Sequence, residues 1–183
     1  MAHAWDDYTD SQVIAWTNLN RTGNESDRAV MIAPGVWDDG HVGEPLMLDV
    51  RSKVAPGLAC ELYQAAGSWD CVVAYINQDT RYSYIRFRHF YLQQTGPTTY
   101  SWDWRETESY LNDHPQSGLA LWRHSGYWWL AFRSREGNLV RVYWSDDAVA
   151  WEHFTNLGYS ITGPQVASDG GDIGSAYVYV TRP

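Results

Sequence analysis

Three sets of residues in this sequence have the types and spacing to do chemistry. The densest is Tyr100-Ser101-Trp102-Asp103-Trp104-Arg105-Glu106. In an extended strand the side chains alternate, so Tyr100, Trp102 and Trp104 fall on one face and Ser101, Asp103 and Arg105 on the other. Flat aromatic rings receive the C–H faces of sugars while polar neighbours bond the hydroxyls. The competing reading is that the aromatic face packs between layers of the fold. The second set is Trp122-Arg123-His124, close to Tyr127, Trp128 and Trp129. The third is one arginine per repeat, Arg28, Arg86 and Arg141. If matched in place they would form a ring of planar donors for an anionic or polyhydroxylated ligand. The plainer alternative is that each makes a structural ion pair within its own repeat.

Catalytic patterns are absent by comparison. Glycoside hydrolysis needs two carboxylates at a set separation, and nothing singles out a pair among the 22 acidic residues. Runs such as Asp38-Asp39-Gly40 and Asp169-Gly170-Gly171-Asp172 are ordinary turn chemistry, with too few regularly spaced oxygens for a calcium loop. The six histidines, His3, His41, His89, His114, His124 and His153, show no i,i+4 pair, so neither a metal nor a cofactor is expected. No phosphate loop or Gly-x-Ser-x-Gly elbow occurs.

The elements that must position these residues are short strands. Val/Tyr/Trp-rich runs alternate with Gly, Asp, Asn and Ser turns, and helical periodicity is poor. A triplet recurs: Ile14-Ala15-Trp16, Val73-Ala74-Tyr75, Leu130-Ala131-Phe132 and Ser175-Ala176-Tyr177, at spacings of 59, 57 and 45 residues. Gly118 and Gly163 each stand thirteen residues before the central Ala of their triplets, and Gly57 stands seventeen before Ala74. Further strands follow each of the first three triplets, so each repeat is expected to be four antiparallel strands. The fold expected is all-β and antiparallel in a single domain, 1–183. It comprises repeats at about 2–55, 56–116 and 117–162 with a two-stranded half repeat at 163–183.

Units of four short strands at this spacing bury both faces only against neighbouring units. In this the chain resembles the β-propellers of glycosidases, sialidase-like proteins and several lectins, whose blades often carry a Ser-x-Asp-Gly-x-x-Trp turn after the third strand. Ser145-Asp146-Asp147-Ala148-Val149-Ala150-Trp151 is similar, with Ala148 at the glycine position. The resemblance implies a propeller, either a small four-bladed ring or an open one completed by oligomerisation. It says nothing of the substrate.

Composition narrows the partners. The net charge of -9 disfavours nucleic acid and anionic membranes by repulsion. Aromatic side chains, including 11 Trp and 13 Tyr, point to carbohydrate or another small polar ligand bound without catalysis. The alternatives are a glycosidase-like enzyme acting at the channel mouth, and a structural subunit whose unfinished last unit docks on another copy or a partner. No signal peptide is visible in Met1-Ala2-His3-Ala4-Trp5-Asp6-Asp7. The default expectation is therefore cytoplasmic, with secretion left open for a chain trimmed at its start, and the sequon Asn24-Glu25-Ser26 is read as chance. Cys60 and Cys71 face each other across a hairpin centred on Ala65-Ala66. A disulfide is geometrically possible, but a reduced, buried pair is expected.

Overall fold

A computed structural model of the chain describes residues 2–6, 11–18, 28–36, 43–63, 68–77, 84–96, 99–168 and 176–181. The sequon and the acidic runs at 38–40 and 169–172 lie outside these. Every regular element among the described residues is a strand, and no helix there is long and apolar enough to cross a membrane. The first sheet holds β1 (Ala2–Asp6), β2 (Ser11–Thr17), β3 (Ala29–Val36) and β4 (Leu46–Arg51). The second holds β5 (Gly57–Tyr63), β6 (Ser68–Ile76), β7 (Ile85–Gln94) and β8 (Tyr100–Leu111). The third holds β9 (Ala120–His124), β10 (Tyr127–Arg133), β11 (Leu139–Ser145) and β12 (Glu152–Tyr159). Each is an antiparallel meander in chain order, and β13 (Gln165–Ser168) and β14 (Ala176–Tyr179) form a two-stranded sheet.

The sheets stack face to face in chain order, because their middle strands are apolar on both sides. Along β6, Trp69, Cys71, Val73 and Tyr75 join the core shared with Val13, Ile32 and Leu48 of the first sheet. The alternate residues Val72, Ala74 and Ile76 join the core shared with Leu121, Leu130 and Phe132 of the third. Along β10 the same division recurs: Trp128, Leu130 and Phe132 face the second sheet. Trp129 and Ala131 face Val166, Val178 and Val180 around β13 and β14. The first strands lie side by side, with β1 against both β5 and β9, and β9 also against β13. Where β5 meets β9 the backbones are so close that a Cβ on Gly57 would stand 2.8 Å from Leu121 Cβ. Likewise a Cβ on Gly163 would stand 2.9 Å from Ser117 Cβ.

Each junction is latched at the end of a fourth strand. Lys53 N donates to Ile76 O (2.9 Å), Gln116 N to Arg133 O (2.8 Å) and Ile161 N to Thr181 O (3.0 Å). Counting two residues back from these acceptors gives Ala74, Ala131 and Tyr179. The fourth triplet is therefore displaced: Tyr179, not Ala176, holds the matching place, because the last hairpin is three residues longer. A similar match corrects the arginine set. Ser52 N donates to Arg28 O and Ser160 N to Asn138 O, and both acceptor residues are left-handed, at φ 59° and 54°. Arg28 thus corresponds to Asn138, and Met31 is the residue matched with Arg141.

The Ser145–Trp151 segment folds as a turn closed by its own side chains. Asp147 Oδ1 accepts from Ser145 Oγ (3.0 Å), Val149 N (2.8 Å) and Ala150 N (2.9 Å). Ala148 takes the left-handed conformation, φ 57°, which glycine adopts most readily. Trp151 Nε1 donates to Ala148 O, and its ring stacks on Phe87 at 4.3 Å, tying the third sheet to the second.

Cys60 and Cys71 pair across β5 and β6 as counted from the sequence, but they are joined in a disulfide rather than reduced. Directly opposed residues of antiparallel strands stand close enough to bridge, here with Cα atoms 4.1 Å apart. Reducing this bond should lower unfolding free energy by about 2–3 kcal/mol, the entropy of a short closed loop, measured by denaturant titration with and without reductant. Asp147→Ala should cost about 1–2 kcal/mol, by loss of the two backbone caps and the seryl bond. Asp146→Ala, at the exposed neighbour, should stay within about 0.5 kcal/mol of the parent in the same titration.

Candidate functional site

The concave feature with the richest chemistry lies between the first two sheets. It opens between β4 of the first sheet and the Tyr75 end of the second. The cleft there has a volume of about 430 Å³ and is lined by Asp49 and Arg51 of β4, Tyr75 and Asn77 at the end of β6, Arg86 and Arg88 of β7, and Glu108 of β8. Alternation along β7 puts Arg86 and Arg88 on this face and Phe87 in the core behind. The register of β7 with β8 sets Glu108 opposite Arg88 and Tyr110 opposite Arg86.

Glu108 is the hub. Its Oε1 accepts from the buried Tyr75 hydroxyl at 2.8 Å and from Arg86 Nη1 at 3.1 Å. Partial burial works against its charge, but these two hydrogen bonds and the charges of Arg86 and Arg88 prevail and hold the carboxyl below its ordinary range. Burial, reinforced by Glu108, pushes the Tyr75 hydroxyl up, so it stays a donor. The Arg88 guanidinium lies 4.2 Å over the Trp104 ring, while its Nε is buried without a hydrogen-bond partner. Arg86 also borders a second hollow of about 250 Å³ with Tyr84, Tyr110 and Asn112. The Tyr84 and Tyr110 rings are 6.0 Å apart there, and Tyr110 is largely exposed.

The other residues singled out in the sequence are dispersed. Trp102 and Trp104 are half-buried against the core of the first two sheets, with Trp104 edge-on to Phe90 at 5.8 Å, so the aromatic face packs between layers. Asp103 and Arg105 are on the opposite side. Arg105 pairs with Asp70 at 3.0 Å and lies over the Tyr91 ring at 4.1 Å. Trp122 is buried and stacks on Trp129 at 6.1 Å. Arg28 donates to Lys53 O at 3.3 Å. Arg141 pairs with Asp113 and Glu136, both at 2.8 Å. Tyr143 also donates to Asp113 (2.9 Å), and burial with that bond pushes its hydroxyl up to about 12. Only Arg86 of the expected set lines the cleft. Tyr75, Arg88 and Glu108 were missed, although the Arg86-Phe87-Arg88 alternation carries the signal for two cations on one face.

Among the described residues no group of three His, Cys, Asp or Glu side chains is arranged to hold a metal ion. No family model, curated protein or solved structure matches the chain.

One buried histidine tunes the opposite junction. His89 of β7 faces the third sheet, edge-on to Trp128 at 6.1 Å, and its Nε2 has no partner. Burial lowers its pKa, with Arg105 adding to the effect against opposition from Asp70, Asp147 and a bond involving Ala148. Folded His89 is neutral where the unfolded chain takes up a proton, so this contribution to stability is lost as pH falls through the ordinary histidine value near 6.5. Thermal unfolding between pH 7.5 and pH 5 should show a decline of at most about 1.4 kcal/mol per pH unit from this residue. His89→Gln should flatten it.

Proposed function

We propose that the chain is a noncatalytic, lectin-like carbohydrate-binding module of β-propeller type, with the Glu108 cleft as its sugar site. The propeller reading is supported by the side-by-side first strands, the face-to-face stacking of four-stranded meanders and the Ser-x-Asp-x-x-x-Trp turn. The observation that carries the binding reading is the convergence of Tyr75, Arg86 and Arg88 on Glu108 in an open cleft. Guanidinium groups donate to vicinal hydroxyls, a carboxylate accepts from them, and tyrosine faces receive C–H groups. A Glu108 held ionised suits acceptance of a hydroxyl proton in a hydrogen bond, and is a poor proton donor to a leaving group. The Cys60–Cys71 bond favours an oxidising compartment over the cytoplasm as the working environment.

Titration calorimetry against neutral and acidic monosaccharides, extended by a glycan array, tests this. Binding is expected in the parent, with a loss of about tenfold or more, roughly 1.4 kcal/mol, in Glu108→Gln and in Arg86→Ala. Trp122→Phe, outside the cleft, should bind as the parent does. Absence of binding to every sugar at millimolar ligand would overturn the proposal.

A further inference from the structure

The chemistry of the Glu108 cleft continues past Arg86. The register of β7 with β8 sets Arg88 opposite Glu108, Arg86 opposite Tyr110 and Ile85 opposite Leu111. One further step away from the turn between these strands sets Tyr84 opposite Asn112. Side chains alternate along a strand, so Ile85 goes to the core and the pairs on either side of it share the open face. Three cross-strand pairs therefore run in a row there: Arg88 with Glu108, Arg86 with Tyr110, and Tyr84 with Asn112. The first pair lines the cleft, the last lines the neighbouring hollow of about 250 Å³, and Arg86 borders both.

The side chains of this strip are held in place before any ligand arrives. Arg86 gives one N–H to Glu108 at 3.1 Å, and a guanidinium has more donors than that bond uses. The Tyr84 ring stacks on His114 with centroids 6.0 Å apart, and Tyr110 stands against Tyr84. Tyr110 nevertheless keeps 68% of its surface exposed, and Asn112 beside it is exposed too. Packing between sheets accounts for rings such as Trp151 on Phe87, but it does not account for Tyr110. An open ring beside an amide and a guanidinium can take a sugar as the cleft does, the ring under C–H groups and the polar groups on hydroxyls. Side chains already propped lose less freedom on binding.

Resting on the reading of the Glu108 cleft as a sugar site, we propose that the hollow is a second subsite and that the ligand is an oligosaccharide lying across Arg86. One sugar unit sits against Glu108 and the next lies over the Tyr110 ring. Glu108 and Tyr110 are two residues apart on β8, a step of about 7 Å on one face of a strand, which two linked pyranose units can span. Arg86 stands where the linkage crosses, with donors for hydroxyls on either unit. A single sugar leaves one of the two places empty, so length becomes part of what the site selects.

Titration calorimetry of the full chain with glucose, galactose, mannose and galacturonic acid, each as the monosaccharide and as its disaccharide, tests this. In at least one series the disaccharide should bind about tenfold or more tighter than the monosaccharide. Tyr110→Ala should cancel that gain while leaving the monosaccharide within about twofold of its affinity for the parent. Far-UV circular dichroism should be unchanged, since the Tyr110 side chain is largely exposed. Monosaccharide binding with no gain from the second unit in any series would overturn the subsite and leave the cleft standing. A gain that survives Tyr110→Ala, or an equal loss for both ligands, would overturn it as well. Absence of binding throughout would overturn the cleft, and the subsite with it.

Discussion

Everything in this molecule follows from middle strands that are apolar on both faces. An antiparallel sheet with one wet face shows clean alternation, but β6 is buried along nearly its whole length, and β10 repeats the pattern at Trp128–Phe132. Burying each large side chain contributes about 1.5–3 kcal/mol, and a lone sheet has nothing to bury them against. Such strands need a layer on each side, and here the layers are other sheets, with the first strands close enough to exclude a side chain at Gly57.

Stacking leaves backbone and charged groups stranded at the sheet ends, and the chain meets that cost with local polar devices. Ser52, Ser134 and Ser160 are buried hydroxyls, each accepting from a backbone N–H two residues on. Asp113, buried in the passage from the second sheet to the third, accepts from Arg141, Tyr143, Ser134 and the His114 backbone. A buried carboxylate is tolerable only with its lone pairs filled in this way. The candidate cleft differs in kind, since Arg86 and Glu108 stay partly exposed at its mouth, whereas Asp113 is sealed.

The four-strand grammar was legible because Trp/Tyr/Val runs and turn residues recur at the scale of a whole unit. Its errors came from places where counting is interrupted. The Ser175-Ala176-Tyr177 triplet matched by residue type, but three extra residues in the last hairpin moved Tyr179 into the place of Ala131. Arg28 matched by type, yet a left-handed residue begins β3, and the equivalent position is Met31. The cleft was hidden by a bulge between Arg88 and Phe90. Simple counting from the β7–β8 hairpin sets Glu106 opposite Arg88, whereas the bulge brings Glu108 there and lets it meet Tyr75. The cysteine pairing was legible from hairpin arithmetic, but its oxidation state was not, because chain ends say nothing of the cross-link.

The latches formed by Lys53, Gln116 and Ile161 join only consecutive sheets, which gives the chain the thermodynamics of a short linear array. In such an array each unit owes its stability to itself and its immediate neighbours. The second sheet, flanked on both sides and closed by a covalent bond, then becomes the point from which order spreads. Amide protection against exchange would then be highest in the second sheet and decline with distance from it along the stack.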